Sequence, residues 1–156
     1  MKKTNVMRLL EQAGIAHTSL EYEYDESDLS GGHAARALML PEEQVFKTLV
    51  TRGSKGGIYV FCIPVNTELN LKRAAENAGE KKIEMVHVKE LLGLTGYIRG
   101  GCSPIGMKKK YPVFIDETAT LFDIIAVSGG QRGVQVMLSP ESLRKYVDGT
   151  FCDISD

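Results

Sequence analysis

Apolar positions recur along the chain with two different periods, which predicts both helices and strands. Val6, Leu9, Leu10 and Ala13 lie at helical spacing, and Gly14 follows where a left-handed cap would end the helix. The runs "VFKTLVTR" and "GIYVFCIPV" are instead rich in β-formers and are separated by "GSKGG", which predicts a hairpin. This mixture of periods predicts a mixed α/β fold.

The remaining pattern fills in further elements. We expect a strand at about residues 15–22, a short helix in "GGHAARALML", and strands in "KKIEMV", "YIRGG", "YPVFID", "DIIAVSGG" and "RGVQVML". Asn70 is placed to cap a helix that ends before Gly79, and "VKELLGLTG" continues as a helix. Ser139 followed by Pro140 predicts the start of a last helix.

Length and composition indicate one domain spanning residues 1–156. With 43% hydrophobic residues, a chain of 156 residues can bury its own core. The start of the chain reads as an amphipathic helix without the apolar block of a signal peptide, so we expect a cytoplasmic protein without a membrane span. Cys62, Cys102 and Cys152 form no C-x-x-C pair, so the sequence suggests no metal site and no disulfide framework. We expect no cofactor.

Charge is unevenly distributed, although the net charge is only −1. Residues 47–110 carry twelve Lys and Arg against five Asp and Glu, an excess of +7. Such an excess permits a polyanionic ligand on one side of the molecule. Charge alone favours the alternative, ordinary solvated helix faces, because a modest basic excess is common on domains of this kind.

Lys47 stands inside a run, "EEQVFKTLV", that otherwise reads as a buried strand. Side chains alternate in a strand, so the lysine lies among apolar neighbours whichever face is inside. It could extend past them to solvent from an edge strand. Alternatively, it points into a cleft and holds an anionic or carbonyl-bearing ligand.

The stretch "GYIRGGCSPIGMKKK" is the second candidate for chemistry. Gly100, Gly101 and Gly106 surround Pro104, and such backbone can approach a ligand closely and hold a phosphate or carbonyl oxygen. The spacing of the glycines resembles a P-loop, but the Lys-Ser/Thr pair that must follow is missing. We therefore exclude nucleotide hydrolysis. A third glycine cluster, "VSGGQRG", predicts a hairpin turn.

A conventional nucleophile is hard to find in this sequence. No G-x-S-x-G motif occurs, and His17, His33 and His87 have neither metal nor triad spacing. Cys102 lies in the glycine loop and could act as a nucleophile, but no base can be assigned to it.

Taken together, six motifs identify a family. "VFKTLV", "LNLKRAAENAG", "KKIEMV", "TGYIRGGCSPIGMKKK", "PVFID" and "VSGGQRG", in this order over roughly residues 3–154, resemble the YbaK family of aminoacyl-tRNA deacylases. These proteins are freestanding relatives of the editing domain of bacterial prolyl-tRNA synthetases. Within the family, the chain is most similar to the branch that hydrolyses cysteine mischarged on proline tRNA. The resemblance implies a mixed α/β fold with a barrel-like central sheet surrounded by helices.

The resemblance also implies a cleft that accepts the aminoacylated 3′ end of tRNA. Lys47 matches the family's catalytic lysine, near the terminal adenosine. The expected substrate-binding residues are Tyr22, Thr48, Ser128 and Gly130, together with Gly100, Gly101 and Pro104 of a G-x-x-x-P loop. Two positions depart from the family pattern: Met39 replaces a common glycine, and Gln135 stands where some members carry an aspartate.

The function that the resemblance implies is hydrolysis of mischarged aminoacyl-tRNA, with Cys-tRNA(Pro) as first candidate and Cys-tRNA(Cys) as second. The substrate's own thiol can attack its ester, which would explain the missing enzyme nucleophile. Lys47 would either activate that thiol or anchor the adenosine. The alternatives are a deacylase for another small amino acid and a noncatalytic tRNA-binding or synthetase-associated module. Prolyl-tRNA synthetase is the expected protein partner.

Overall fold

The computed structural model describes residues 2–156, and the strands in this range form two sheets. The smaller sheet is antiparallel and has the strand order β1-β7-β6. Its strands are β1 (His17–Glu21), β6 (Ile125–Ser128) and β7 (Val134–Leu138). The turn between β6 and β7 contains the "VSGGQRG" glycines, so the hairpin predicted there is confirmed.

The larger sheet is mixed and has the order β4-β2-β3-β5-β8. β2 pairs antiparallel with β3 and β4, whereas β5 runs parallel to both β3 and β8. A parallel bridge between Val45 and Ala126 joins the two sheets. The predicted mixed α/β fold with a barrel-like central sheet is confirmed. The strands are β2 (Phe46–Gly53), β3 (Ile58–Pro64), β4 (Ile83–Met85), β5 (Val113–Asp116) and β8 (Thr150–Cys152).

Short helices surround the sheets, and two of them begin at the caps that the sequence predicts, Asn70 and Ser139. The Asn70 side chain accepts a hydrogen bond from the Arg73 N–H at 2.9 Å, and Ser139 accepts one from Ser142. Gly79 ends its helix in the left-handed conformation. The helices are α1 (Asn5–Gln12), α2 (Gly31–Ala37), α3 (Leu71–Ala78), α4 (Val88–Thr95) and α5 (Pro140–Val147). Within residues 2–156, none of them has the length and apolar character that crossing a bilayer requires.

One local prediction fails, and one strand was not predicted. "YIRGG" is a turn rather than a strand, because Gly100 adopts φ 88° and the Gly101 N–H donates to the Ile98 carbonyl at 3.0 Å. Strand β8 has no strong sequence signal, since it spans only three residues. Its position depends on Asp116, whose buried carboxylate accepts hydrogen bonds from the N–H groups of Ile154 and Ser155.

The core has two main parts, which lie on opposite faces of β3. Val60 and Cys62 contribute to the larger cluster, beneath α1 and α5, while Phe61 and Ile63 contribute to the smaller one, beneath α3. All four side chains are fully buried. A strand buried on both faces requires a nearly continuous apolar run, which is why "YVFCIPV" lacks polar alternation.

Candidate active site

A cleft of about 340 Å³ opens along an unpaired edge of β2. β4 pairs with β2 only over Thr51–Gly53, and β6 reaches the preceding segment only through the Val45–Ala126 bridge. The part of β2 before Thr51 therefore has no strand beside it on the edge where β4 pairs. Residues from both faces of β2 line the cleft there. The lining residues are Tyr22, Leu29, Ser30, Gly31, Gly32, Ala34, Val45, Phe46, Lys47, Thr48, Leu49, Val65, Arg99, Gly100, Cys102, Ser128 and Gln135.

Lys47 is half-buried in this cleft. Burial lowers its pKa from the usual 10.5, and the nearby charge of Glu68 opposes the shift only in part. Within residues 2–156, its ammonium group forms no ion pair. The start of α2 packs close to the lysine stem, where a Cβ on Gly31 would stand 2.2 Å from Val65 Cγ1. A glycine is therefore required at this wall of the cleft.

Four other residues of the predicted site line the same cleft: Tyr22, Thr48, Gly100 and Ser128. Thr48 Oγ1 lies 3.9 Å from the sulfur of the buried Cys62, which stands opposite Thr48 on β3. Ser128 Oγ accepts a hydrogen bond from the Gly130 N–H at 3.1 Å, so its own hydroxyl hydrogen remains to be donated. The structure thus brings together residues from β2, β6 and two loops that are far apart in sequence.

The other three predicted residues, Gly101, Pro104 and Gly130, do not line the cleft. A Cβ on Gly101 would stand 3.1 Å from the backbone of Gln131 and Arg132, so this glycine allows two loops to pack together. Gly130 adopts φ 94° beneath α1, and Pro104 is buried beside a separate hollow. Their position fits a role in shaping the loops, and direct substrate contact remains a prediction for them.

Among the lining residues outside the set of predicted site residues, Gln135 and Arg99 are polar side chains. Gln135 is 6% exposed, and its Oε1 has no hydrogen-bond partner within residues 2–156. It stands in β7 directly opposite Ser128 of β6. A sequence signal exists, because Gln135 is a polar residue inside an apolar strand, "VQVML", as Lys47 is in β2. A polar side chain buried inside an apolar strand indicates a candidate site residue, because its burial is costly without a partner.

The cysteines near the cleft are poorly suited to act as nucleophiles. Cys102 lines the cleft, but burial raises the pKa of its thiol to about 12. No histidine within residues 2–156 forms a hydrogen bond with it. Burial likewise raises the pKa of Cys62 to about 12. In the same range, no three His, Cys, Asp or Glu side chains cluster as a metal site would require.

Comparison with known proteins decides the family. Residues 31–146 match the sequence profile of a family described as "Aminoacyl-tRNA editing domain". The chain belongs to the aminoacyl-tRNA editing domain family. It is also 46% identical, over 99% of this chain and 94% of the relative, to an Enterococcus faecalis protein named "Putative Cys-tRNA(Pro)/Cys-tRNA(Cys) deacylase EbsC". The family expected from the motifs is thereby confirmed.

Solved structures show the same editing-domain fold. One, described as "Crystal structure of hypothetical protein APE2540", superposes with a TM-score of 0.89 at 24% identity, covering 98% of this chain and 100% of that one. A second, "Crystal structure of a putative trans-editing enzyme for prolyl tRNA synthetase", has a TM-score of 0.82 at 23% identity and covers 100% and 99%. At such identities the likeness establishes the fold alone.

Proposed function

We propose that this editing-domain protein hydrolyses the ester that joins cysteine to tRNA, with mischarged Cys-tRNA(Pro) and also Cys-tRNA(Cys) as substrates. Family membership gives aminoacyl-tRNA as the substrate class. The amino acid comes from the relative named for these two substrates, which aligns over nearly the whole chain. The observation that carries the proposal is Lys47, an unpaired and half-buried cation in a cleft that lacks an activated enzyme nucleophile.

The proposed reaction uses the substrate's own thiol. Its sulfur attacks the ester carbonyl carbon, a C–S bond forms, and the bond to the ribose oxygen breaks. The thiol proton ends on that oxygen, which restores the tRNA hydroxyl. The other product is a cyclic thioester of cysteine, which water then opens to free cysteine. The two steps together consume one water and yield tRNA and cysteine, as direct ester hydrolysis does. The reaction requires no nucleophile from the protein.

Lys47 favours this reaction by its charge. An unperturbed thiol has a pKa of about 8.5, so only a few per cent is thiolate at neutral pH. A positive charge nearby raises that fraction, and partial burial of the lysine strengthens its field. The same ammonium could instead bind the adenosine phosphate or ribose, and the two roles predict different outcomes for Lys47→Arg.

Hydrogen-bond donors around the cleft can stabilise the oxyanion. The N–H of Gly101 is already used in its turn, whereas no backbone carbonyl within residues 2–156 accepts from Gly100 or Cys102. The Ser128 hydroxyl is a further candidate. One such donor contributes about 2.7–4 kcal/mol in a site that excludes water.

Selectivity follows from the same chemistry. A pocket alone separates side chains that differ by one small group by only about 1–3 kcal/mol. A reaction that requires the substrate thiol excludes alanine, which has no nucleophile. Serine carries a much less acidic hydroxyl in the corresponding position.

The test measures amino acid released from tRNA(Pro) charged with cysteine, alanine or serine. We expect rapid release of cysteine only. A matched substrate with an S-methylated cysteine should bind equally well but stay intact, because its sulfur cannot attack. Release of S-methylcysteine at the cysteine rate would contradict the thiol mechanism, release of alanine would indicate a different small-residue deacylase, and binding without any release would indicate a noncatalytic module.

Discrimination between tRNAs is proposed to come from a partner, prolyl-tRNA synthetase. We expect the isolated protein to deacylate Cys-tRNA(Pro) and Cys-tRNA(Cys) at comparable rates, and the added synthetase to favour the first. A strong preference shown by the isolated protein would contradict this assignment.

A further inference from the structure

A second, mostly apolar pocket adjoins the cleft and has no role in the reaction proposed above. It has a volume of about 220 Å³ and lies between β2, β4 and the start of α4. We call it the side pocket; its lining residues are Thr48, Leu49, Val50, Met85, Val86, His87, Val88, Leu91, Arg99, Gly100 and Cys102. Five of these also line the cleft, namely Thr48, Leu49, Arg99, Gly100 and Cys102, so the two cavities are adjacent.

The mouth of the side pocket exposes an unusual amount of apolar surface. Met85 is 46% exposed, Val88 62% and, nearby in α4, Leu92 54%. Exposed apolar side chains that group beside a binding cleft indicate a contact surface for a ligand. His87 contributes an imidazole ring, which can stack on a planar group.

Arg99 lies at the junction between the cavities, and Arg132 lies against its backbone. Arg99 lines both, and Arg132 Nε donates to the Arg99 carbonyl oxygen at 2.9 Å. Neither guanidinium forms an ion pair within residues 2–156. An arginine at this junction without a carboxylate partner favours a phosphate, which can accept several of its N–H donors at once.

The nearby carboxylates do not oppose such a ligand. Glu90 of α4 forms an ion pair with Arg52 at 2.9 Å, and Glu84 of β4 stands opposite Arg52 in the strand register. Glu90 is thereby held at the Arg52 side of the side pocket, and Glu84 neighbours the same arginine across the strands. The charge that remains at the junction is positive.

We propose that the side pocket binds the base of the penultimate nucleotide of the tRNA. This inference rests on the proposed function, in which Lys47 faces the ester on the terminal adenosine. The phosphodiester that joins the last two nucleotides would then lie at Arg99, and the base beyond it would lie in the side pocket. Single-stranded ends are bound in this way, by stacking on side chains and by phosphate contacts.

Val88→Asp tests the inference, with Leu71→Asp as control. Both residues are exposed and stand first in an eight-residue helix, where an aspartate is well tolerated, but Leu71 lies in α3, outside both cavities. For Cys-tRNA(Pro), Val88→Asp should raise KM roughly 5- to 100-fold and Leu71→Asp should leave it unchanged. On 3′-cysteinyl-adenosine, which lacks the phosphate and the penultimate nucleotide, both variants should match the wild type.

Two outcomes would overturn the inference. One is an unchanged KM of folded Val88→Asp for Cys-tRNA(Pro), and the other is an equal loss on 3′-cysteinyl-adenosine, which would place the terminal nucleoside in the side pocket. Circular dichroism checks folding. Failure of the wild type to release cysteine would instead count against the proposed function and not against this subsite.

A binding measurement tests the subsite independently of turnover. The probe is an uncharged RNA oligonucleotide that ends in CCA, compared with one that lacks the penultimate base. We expect the wild type to prefer the intact probe and Val88→Asp to lose the preference. Arg99→Gln should reduce the slope of log K against log salt by about 0.7, whereas the exposed Lys72→Gln in α3 should not change it. Equal binding of both probes by the wild type would overturn the assignment.

Discussion

Lys47 and Arg52 are cations on the same strand, β2, and their surroundings are opposite. Arg52 donates two hydrogen bonds to the carboxylate of Glu90, at 2.9 and 3.3 Å, and these bonds raise its pKa above the usual value. Lys47 has no such partner, and burial lowers its pKa. The two side chains belong to different parts of the strand: β4 pairs with β2 at Arg52, whereas the edge at Lys47 is open.

We propose that this difference separates a structural cation, Arg52, from a functional one, Lys47. A partner offsets the desolvation of Arg52, so its interactions are complete within the folded chain. A half-buried lysine without a partner costs folding free energy, and its interactions are completed only when a ligand enters the cleft. From residue type alone, Lys47 and Arg52 would both be described as cations on a strand. Each prediction below tests whether this separation is real.

The largest effect is expected from Lys47→Ala. Removing the ammonium should lower deacylation of Cys-tRNA(Pro) roughly 10²- to 10⁴-fold, whether the lysine activates the thiol or anchors the adenosine. The measurement is single-turnover release of labelled cysteine. Near-wild-type release by the folded variant would mean that Lys47 only extends past its neighbours to solvent.

Lys47→Met serves as the control for packing, because it keeps the apolar stem. The pKa of Lys47 is lower in the folded state, so the charged form costs stability at neutral pH, and this cost falls as the pH rises towards 10.5. Lys47→Met should therefore not lower Tm at pH 7, and any gain over the wild type should shrink at alkaline pH. A large fall in Tm at pH 7 would instead show that the ammonium stabilises the fold.

A smaller and more selective effect is expected from Lys47→Arg. Arginine keeps a positive charge but presents a planar fork in place of a compact ammonium. If the lysine acts on the reacting thiol, KM should stay close to the wild type while kcat falls by an order of magnitude or more. If both parameters survive, Lys47 is an electrostatic anchor for the nucleotide.

Much of the fold was predictable because its signals are local. The caps at Asn70 and Ser139 and the hairpin between β2 and β3 depend on side chains within a few residues of one another. β8 was not predictable in this way. It depends on a contact between Asp116 and backbone nearly 40 residues later, which the sequence does not reveal.

The candidate site shows the same limit. Motif resemblance singled out Lys47, Tyr22 and Ser128, and the folded chain places all three on one cleft. The resemblance could not distinguish the two adjacent glycines. Gly100 lines the cleft, whereas Gly101 packs against a neighbouring loop. Which of two adjacent glycines faces a ligand depends on the loop's φ angles and packing partners, and these exist only in three dimensions.

Arg52→Gln tests whether Arg52 has only a structural role. Its ion pair with Glu90 is partly exposed, so its loss should lower Tm by no more than roughly 3 °C, and the difference should shrink at high salt. Deacylation kinetics on 3′-cysteinyl-adenosine should not change. A fall in kcat as large as that of Lys47→Arg would show that the two cations act on the same chemistry.

The smallest effect is expected from Cys102→Ala, although Cys102 lines the cleft beside Lys47. Burial raises the pKa of this thiol to about 12, so its thiolate fraction at pH 7 is only about 10⁻⁵. If the substrate supplies the nucleophile, the variant should keep deacylation within about threefold of the wild type and leave its pH profile unchanged. Cys152→Ala, a cysteine outside the cleft, is the matched control. A loss at Cys102 comparable to that of Lys47→Ala would make Cys102 the nucleophile, and the role of Lys47 would then be to lower the pKa of an enzyme thiol.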